Sequence, residues 1–270
     1  MTVRLVSNEK IAETSSKGNQ EKWFEHGRWY KLDQFGYEAL TETFTSLLLE
    51  RSNIEQDTPF QFVRYRMERL HVHGRERTGC SSDNFLRSGQ SIVTINHLFR
   101  QHLGRPLKEV LERLSSDKKR IAYLAEETAA ITRLQEFPEY LTLLFEIDSL
   151  VLNDDRHLNN IAVIEQNGRY DYCPIFDQGA GLLSNVQYAP LDIDPPALIR
   201  GLRARPFNTT FNRQMHTVQE LYGRQLRLPR FDRNELMRDL QPLLEYYASR
   251  DRGLIADRVC ETILMRQKVL

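Results

Sequence analysis

Two short polar clusters, each set between apolar segments, constrain the fold of this chain more than any other feature. The first is Leu152-Asn-Asp-Asp-Arg-His-Leu-Asn-Asn160, and the second is Pro174-Ile-Phe-Asp-Gln-Gly179. Between them, two strand-like runs flank Asn167-Gly168, a dipeptide that favours a tight hairpin because both central residues take positive φ. The pattern therefore predicts that both clusters lie at the open ends of paired strands, where loops on rigid elements hold functional side chains in register.

The composition is that of an ordinary globular protein. The 270 residues include 37 basic and 37 acidic side chains, and 40% are hydrophobic. This balance excludes a whole-chain field that would attract nucleic acid or an anionic membrane. The three scattered cysteines lack Cys-x-x-Cys spacing, which argues against a disulfide framework and for a reducing compartment. Because neither a secretion signal nor a membrane span is evident, we expect a cytoplasmic protein without a membrane partner.

The first 66 residues are predicted to form a small unit of strands around one helix. Strands are expected at 23–24, 28–32 and 60–65, where bulky side chains occur between turn residues. A helix is expected over 37–49, because its apolar residues recur at three- and four-residue steps. This mixture of strand and helix patterns predicts an α+β unit.

Residues 67–270 are predicted to be mostly helical. A polar loop is expected over 73–90, and it contains Cys80-Ser-Ser-Asp-Asn-Phe85. Thr94 is the expected cap of a helix that ends before Gly104, and Pro106 is the expected first position of the next. Further helices are predicted at 117–133, 138–152, 231–249 and 252–268, and hairpin strands at 161–164 and 169–173.

The spacing within the polar clusters is typical of phosphoryl transfer from ATP. That reaction needs a base to orient the acceptor hydroxyl, oxygen ligands for Mg²⁺ and cations on the phosphates. In protein kinases the catalytic aspartate precedes a metal-binding asparagine by five positions, and a second aspartate follows in an Asp-x-Gly turn. Asp177 fits the second motif, whereas both Asp154 with Asn159 and Asp155 with Asn160 fit the first. Spacing alone therefore leaves the choice of base open.

The stretch Asp155-Arg-His-Leu-Asn-Asn160 resembles the Asp-x-His-x-x-Asn loop of the HipA-like serine/threonine kinases, in particular their compact bacterial HipA-C/CtkA-like type. The phosphatidylinositol kinases share an Asp-Arg-His-x-x-Asn loop. In both families the histidine falls two positions after the catalytic aspartate. The resemblance therefore implies that Asp155 is the base and that His157 braces the loop. It also implies that Asn160 and Asp177 are Mg²⁺ ligands.

The resemblance extends toward the amino terminus, where it implies the contacts to ATP. Lys31 lies where the family has its phosphate-binding lysine, and either Glu38 or Glu42, on one helix face, would pair with it. Arg64 and Tyr65 would lie at the hinge near 64–66.

The loop that covers the phosphates would be the polar stretch at 14–19, which departs from a Gly-x-Gly-x-x-Gly pattern. Its candidate contacts are Ser15, Ser16, Lys17 and Gly18. In HipA-like kinases this loop can itself be phosphorylated on serine, so Ser15 or Ser16 is a candidate acceptor.

Together, the patterns and the resemblance predict a two-lobed, protein-kinase-like α+β fold with a small mixed N-lobe (1–66) and a mostly helical C-lobe (67–270). The predicted function is that of an ATP- and Mg²⁺-dependent serine/threonine protein kinase that autophosphorylates and also acts on an unidentified protein. Toxin-type members of the family carry an extra amino-terminal subdomain for which this chain is short. This counts against an antitoxin-like partner, which is kept as an alternative.

Three other functions are alternatives. A small-molecule kinase would share the architecture, and a nucleotide-binding regulator would share the site without turnover. A nucleic-acid-binding module would use the arginines between 200 and 238. Acidic residues are interspersed among those arginines, which favours solvated helix faces, so nucleic acid is not an expected partner.

Overall fold

A computed structural model describes residues 4–5 and 20–270, and within them the chain forms eight strands and ten helices. The strands are β1 (Arg4–Leu5), β2 (Lys22–Glu25), β3 (Arg28–Leu32), β4 (Arg66–Val72), β5 (Arg75–Asp83), β6 (Ser91–Thr94), β7 (Ala162–Gln166) and β8 (Arg169–Tyr172). The helices are α1 (Glu38–Leu49), α2 (Ile54–Asp57), α3 (Ile95–Leu103), α4 (Leu107–Glu112), α5 (Asp117–Thr132), α6 (Phe137–Val151), α7 (Pro195–Ile199), α8 (Phe211–Tyr222), α9 (Arg233–Leu244) and α10 (Ser249–Arg266).

The amino-terminal part is a five-stranded sheet with the order β1-β4-β5-β3-β2. The hairpin between β2 and β3 turns at His26 and Gly27, whose φ angles are 48° and 76°. Two consecutive positive φ angles match the right-handed twist of paired strands, so this turn fixes the register of the hairpin. The register places Lys22 directly opposite Lys31.

Helix α1 packs against this sheet and against the carboxy-terminal helix α9. It is buried along almost its whole length, including glutamate and threonine side chains. Its apolar residues join those of α9 and α10 in one core cluster. The helix therefore connects the sheet to the helical part of the molecule.

Two expectations for the amino-terminal part are wrong. Half of the polar loop predicted at 73–90 is strand β5, which pairs with both β3 and β4. Its strand structure comes from these two ladders and not from alternating apolar residues. A Cβ at Gly79 would lie 2.4 Å from the carbonyl oxygen of Lys31, so close strand approach requires glycine there. The strand predicted at 60–65 is also absent, because only Phe62 forms an isolated bridge, with Ile175.

The sheet of the amino-terminal part thus continues to Asp83, beyond the predicted end of the N-lobe at residue 66. The division of the chain into lobes at that residue stays a prediction.

The carboxy-terminal part is mostly helical, as predicted, with one three-stranded sheet in the order β6-β7-β8. The predicted helix start at Thr94 is confirmed, because its hydroxyl accepts a hydrogen bond from the His97 N–H at 3.2 Å. Gly104 ends that helix in the left-handed conformation. Pro106 precedes the next helix as its cap and is not its first residue.

Helix α6 is the centre of the carboxy-terminal core, which it shares with α5 and α8. Nearly all of its side chains are buried, and it leads directly into the first polar cluster. The predicted hairpin of β7 and β8 then connects this cluster to the second one. In the described part of the chain, no helix has both the length and the apolar character that a membrane crossing requires.

Candidate active site

The first polar cluster begins where α6 ends. Leu152 is buried and closes the helix with a φ of 57°. The next residue, Asn153, is 1% exposed, and its amide nitrogen donates to the Asp148 carboxylate at 2.9 Å and to the Asp177 carbonyl at 3.1 Å. Its side-chain oxygen accepts from the Asp155 N–H. Asn153 therefore connects the two polar clusters.

A buried ion pair braces the same region. The guanidinium of Arg156 lies 2.9 Å from the Asp148 carboxylate, and both side chains are 1% exposed. Arg156 also donates to the carbonyl oxygens of Asn160 at 2.9 Å and Phe176 at 3.0 Å. A planar guanidinium has five donors, so one side chain can satisfy acceptors from both clusters.

The bracing contacts predicted for His157 belong instead to Arg156. His157 is exposed, and its Nδ1 accepts a hydrogen bond from the Asn159 N–H at 3.2 Å. An imidazole has two ring nitrogens and cannot replace the set of contacts that the arginine makes. His157 therefore contacts the local turn, and its predicted role in the loop stays a prediction.

Lys31 joins the sheet to the second polar cluster. Its Nζ lies 2.6 Å from Glu42 Oε1 and 2.6 Å from Asp177 Oδ1. The other oxygen of Glu42 accepts from the Gln178 N–H at 2.8 Å. Strand β3, helix α1 and the loop after β8 therefore meet at one ammonium group.

Glu42 is thus the glutamate that pairs with Lys31. The carboxylate of Glu38, the first residue of α1, instead accepts from backbone N–H groups of the turn that precedes the helix, from Phe35 at 2.7 Å and from Gly36 at 3.1 Å. Acidic groups are favourable at this end of a helix because its unpaired N–H groups carry partial positive charge. Glu38 therefore stabilises the helix start.

The charges at this junction hold one another ionised. Burial by itself would lower the pKa of Lys31, but the carboxylates of Asp177 and Glu42 hold it well above its ordinary value. Burial would likewise raise the pKa of Asp177, and the ammonium of Lys31 outweighs this and lowers it to about 2. Asp177 is therefore a carboxylate at neutral pH, as a metal ligand must be.

A second lysine faces the same carboxylate. Lys22 lies opposite Lys31 across the β2–β3 hairpin and is half-buried. Burial lowers its pKa, Asp177 acts in the opposite direction, and Lys31 lowers it further. Two ammonium groups therefore share one side of the site, although the family resemblance pointed only to Lys31. The two-residue hairpin turn was the signal that would have predicted Lys22.

The carboxylate of Asp155 is close enough to those of Asp154 and Asp177 for their charges to interact. Burial raises the pKa of Asp155, and the nearby charge of Asp177 raises it further, although His157 acts in the opposite direction. Burial and the charge of Asp155 raise the pKa of Asp154 to about 6. Mutual repulsion of this kind is relieved by a bound cation.

The Asn160 amide folds back onto the loop, where its nitrogen donates to the Asp155 carbonyl at 2.9 Å. The two residues of one candidate pair are therefore linked directly. Asp177 is a third exposed and Asn160 is half-buried, so both side chains border open space. A carboxylate and an amide oxygen are ligands that suit Mg²⁺, which is held by few protein groups and completes its shell with phosphate and water.

The remaining predicted contacts fall into two groups. Arg64 does not join the cluster, since it forms ion pairs with Glu50 and Glu55 on the surface. Tyr65 does join it: its hydroxyl accepts from the Asp177 N–H at 3.4 Å, and its ring centroid lies 5.2 Å from Lys31 Nζ. The candidate phosphate-covering residues lie outside the described part of the chain, namely Ser15, Ser16, Lys17 and Gly18.

An apolar patch adjoins the polar site where the chain leaves the five-stranded sheet. Phe85 follows β5 and lies 6.3 Å from Phe176, measured between ring centroids. Buried side chains of the second sheet complete the patch, namely Ala162, Ile164 and Cys173. The site therefore has a charged end and an apolar end.

These elements form a kinase-like α+β arrangement, with a lysine on a sheet strand, a glutamate on the packed helix, and aspartates on two loops of the helical part. No protein-family model and no curated protein sequence matches the chain. Among solved structures, it is similar to the Helicobacter pylori proinflammatory kinase CtkA, with a TM-score of 0.61 and 12% sequence identity over 94% of this chain and 92% of that one. This similarity confirms the predicted fold class.

The chain is also similar to a chain in the complex of the Shewanella oneidensis MR-1 toxin–antitoxin system HipA and HipB with its operator DNA. The TM-score is 0.49 and the identity 14%, over 93% of this chain and 64% of that one. The present chain therefore spans less than two thirds of that second chain.

Proposed function

We propose that this protein is an ATP- and Mg²⁺-dependent serine/threonine protein kinase. The observation that carries the proposal is the position of Lys31, whose ammonium lies 2.6 Å from both the helix glutamate Glu42 and the loop aspartate Asp177. In protein kinases a strand lysine paired with a helix glutamate holds the phosphates of ATP next to the metal-binding aspartate. The kinase-like fold supports the same assignment.

Each charged residue then has a distinct role. Asp177 and Asn160 would hold Mg²⁺, which neutralises charge on the transferred phosphoryl group. Lys31 and Lys22 would contact phosphate oxygens from the sheet side. Asp155 would accept the proton of the acceptor hydroxyl and orient it, and Arg156 would keep this loop in register with Asp177.

The adenine ring would occupy the apolar patch beside Phe85 and Phe176. Because the five-stranded sheet continues to Asp83, we propose that the chain crosses between the lobes at 84–86 rather than at 64–66. Tyr65 would then not lie at the crossing between the lobes. It would act on the site through its contacts with Lys31 and Asp177. Autophosphorylation at Ser15 or Ser16, an antitoxin-like partner and a cytoplasmic location stay predictions from the sequence.

The assignment of the base is tested by two isosteric substitutions at adjacent positions. We expect Asp155→Asn to lower the rate of phosphoryl transfer from labelled ATP by at least about 100-fold, because a general base contributes roughly that factor or more. Asp154→Asn should stay within about tenfold of the unmodified protein, because its neighbour still accepts the proton. The reverse ranking of the two variants would move the base to Asp154 and the metal-binding amide to Asn159.

The raised pKa of Asp154 predicts a pH dependence of stability. A carboxyl group whose pKa rises from 3.8 to about 6 on folding favours the folded state when protonated. Its contribution is complete below pH 3.8 and is lost as the pH rises through about 6. Asp154→Asn replaces the carboxyl group by an amide that does not ionise, so the variant lacks this pH-dependent loss of stability. As the pH rises through this range, the free energy of unfolding of the variant should come to exceed that of the unmodified protein by about 1 kcal/mol. This is less than the pKa change alone would give, since solvent screens a half-buried group.

Urea unfolding at a series of pH values measures this difference. Asp171→Asn, at an exposed aspartate on β8, supplies the background for the same chemical change. A difference between Asp154→Asn and the unmodified protein that stays constant over the range would contradict the prediction.

A further inference from the structure

A groove with exposed apolar side chains lies beside the segment that follows the second polar cluster. The segment 191–195 forms one wall, and the start of α9 together with the middle of α10 forms the other. The cavity has a volume of about 460 Å³. Ile193 and Leu254 are 41% and 45% exposed, and both line it. Large apolar side chains that are exposed on opposite walls of one cavity mark a candidate interaction surface.

One wall of this groove is held by a buried arginine. Arg258 is 2% exposed, and its guanidinium donates to the carbonyl oxygens of Ala189, Pro190 and Ile193. Its Nε has no hydrogen-bond acceptor among the described residues. The wall is therefore preformed, and a bound chain would meet a surface that needs no ordering.

The rim of the groove is acidic. Asp192, Asp194 and Glu261 line it, and none of the three has a basic side chain within ion-pair distance in the described part of the chain. Asp257 also lines it but is paired with Arg233. The lining thus has four carboxylates and two guanidinium groups, those of Arg233 and Arg258. This acidic excess around exposed apolar side chains favours a partner that presents an apolar group between cations.

One wall of the groove belongs to the stretch of chain that follows the second polar cluster. The chain that forms its wall leaves Asp177 through Leu182 and Leu183, whose carbonyl oxygens both accept from the hydroxyl of Tyr37 at the start of α1. A segment bound in the groove would therefore be attached to the same stretch of chain that carries the metal-binding aspartate. Such attachment raises the local concentration of a neighbouring acceptor hydroxyl.

We propose that this groove docks an extended segment of the protein substrate, in which a large apolar side chain is flanked by lysine or arginine. This inference rests on the proposed protein-kinase function for its use, since docking serves phosphoryl transfer. Ile193 and Leu254 contact the apolar side chain, and the carboxylates of Asp192, Asp194 and Glu261 face the flanking cations. The acidic rim also disfavours acidic segments, because like charges across an interface repel.

The test uses three fluorescein-labelled synthetic peptides of equal length and no nucleotide. The first carries leucine flanked on each side by lysine and arginine, the second has serine in place of leucine, and the third has glutamate in place of the cations. Fluorescence anisotropy with the full chain at low salt should show saturable binding of the first peptide. The second and third should bind at least about threefold more weakly, as expected for losing apolar burial or several partly exposed charge pairs.

Two variants connect this binding to the groove. Asp192→Asn combined with Asp194→Asn, and Leu254→Ala separately, should each weaken binding of the first peptide by at least about threefold. Asp194 precedes α7 but makes no side-chain capping bond, so the double variant leaves that helix start intact. The matched control is Glu109→Gln combined with Glu112→Gln, which removes two exposed acidic charges on α4.

Equal binding of all three peptides would overturn the proposal, as would an equal loss in the α4 control. Absence of saturable binding of the first peptide would also overturn it. These outcomes are independent of the kinase assignment because no nucleotide is present. Selective peptide binding by a protein that transfers no phosphoryl group would support the groove and contradict the proposed function. Phosphoryl transfer by a protein that does not bind the first peptide would support the proposed kinase function and contradict docking in the groove.

Discussion

Asp177→Asn should lower the rate of phosphoryl transfer by at least about 100-fold, the loss typical of removing one preorganised group that stabilises transition-state charge. Asparagine keeps the shape of the side chain but removes its negative charge. Mg²⁺ then loses the carboxylate that the ammonium of Lys31 keeps ionised. The ion pair between Lys31 and Glu42 remains, so the sheet and α1 keep their connection.

The rate is measured with labelled ATP over a range of Mg²⁺ concentrations. If Asp177 is a metal ligand, as proposed, the residual activity of the variant should require more Mg²⁺ than that of the unmodified protein. Asp171→Asn is the matched control, because it makes the same chemical change at an exposed position on the adjoining hairpin. Equal rates for Asp177→Asn and this control would remove Asp177 from the catalytic site.

Arg156→Met should lower the free energy of unfolding by about 3–5 kcal/mol, the cost of leaving one partner of a buried ion pair without its counter-charge. Asp148 would remain buried, and the carbonyl oxygens of Asn160 and Phe176 would each lose a donor. Methionine approximately fills the space of the arginine stem, so lost packing contributes little. The effect is thus a measure of the bracing contacts that join the two polar clusters.

This destabilisation should depend on pH. Burial raises the pKa of Asp148, and the charge of Arg156 opposes that rise. Without Arg156 the pKa of Asp148 should rise further. A carboxyl group whose pKa is raised on folding favours the folded state only while it is protonated. The loss in free energy of unfolding caused by Arg156→Met should therefore be smallest in acid and grow as the pH rises toward neutrality.

Urea unfolding compares Arg156→Met with Arg64→Met, which removes an arginine from exposed ion pairs with Glu50 and Glu55. The exposed substitution should cost less than about 1 kcal/mol, because solvent already screens its ion pairs. If both variants lose the same small amount of stability, Arg156 does not brace the loop. Similar large losses in both would show that the effect does not come from burial of the ion pair.

The parts of the fold that were predicted correctly are those with a strong local pattern. Helix α6 has an apolar composition and a clear length, and Asn167-Gly168 determines the hairpin that follows it. Strand β5 was missed because its sequence, Arg-Glu-Arg-Thr-Gly-Cys-Ser-Ser-Asp, carries no alternation of apolar residues. Its structure depends on ladders with β3 and β4, which bring together residues distant in sequence.

The candidate site divides in the same way. Motif spacing led to Asp177 and to two aspartate–asparagine pairs, and the family resemblance selected Asp155 with Asn160. The relative positions of these residues follow from one loop and one hairpin. The role of Arg156 depends on Asp148, an acid within an almost entirely buried helix. A buried carboxylate needs a counter-charge, and that requirement was the available signal for the arginine. The choice of Glu42 over Glu38 depends on how α1 packs, which sequence spacing does not determine.

The most direct test of the central claim is the intact mass of the phosphatase-treated protein before and after incubation with Mg²⁺ and ATP. Phosphoryl transfer at this site predicts that the protein gains whole phosphoryl groups with ATP and none with a non-hydrolysable ATP analogue. Asp155→Asn and Asp177→Asn should gain none over the same time. An equal mass gain in both variants and the unmodified protein would contradict the assignment of Asp155 and Asp177 to the active site. No mass gain in the unmodified protein, together with no ATP binding by calorimetry, would contradict the proposed kinase function.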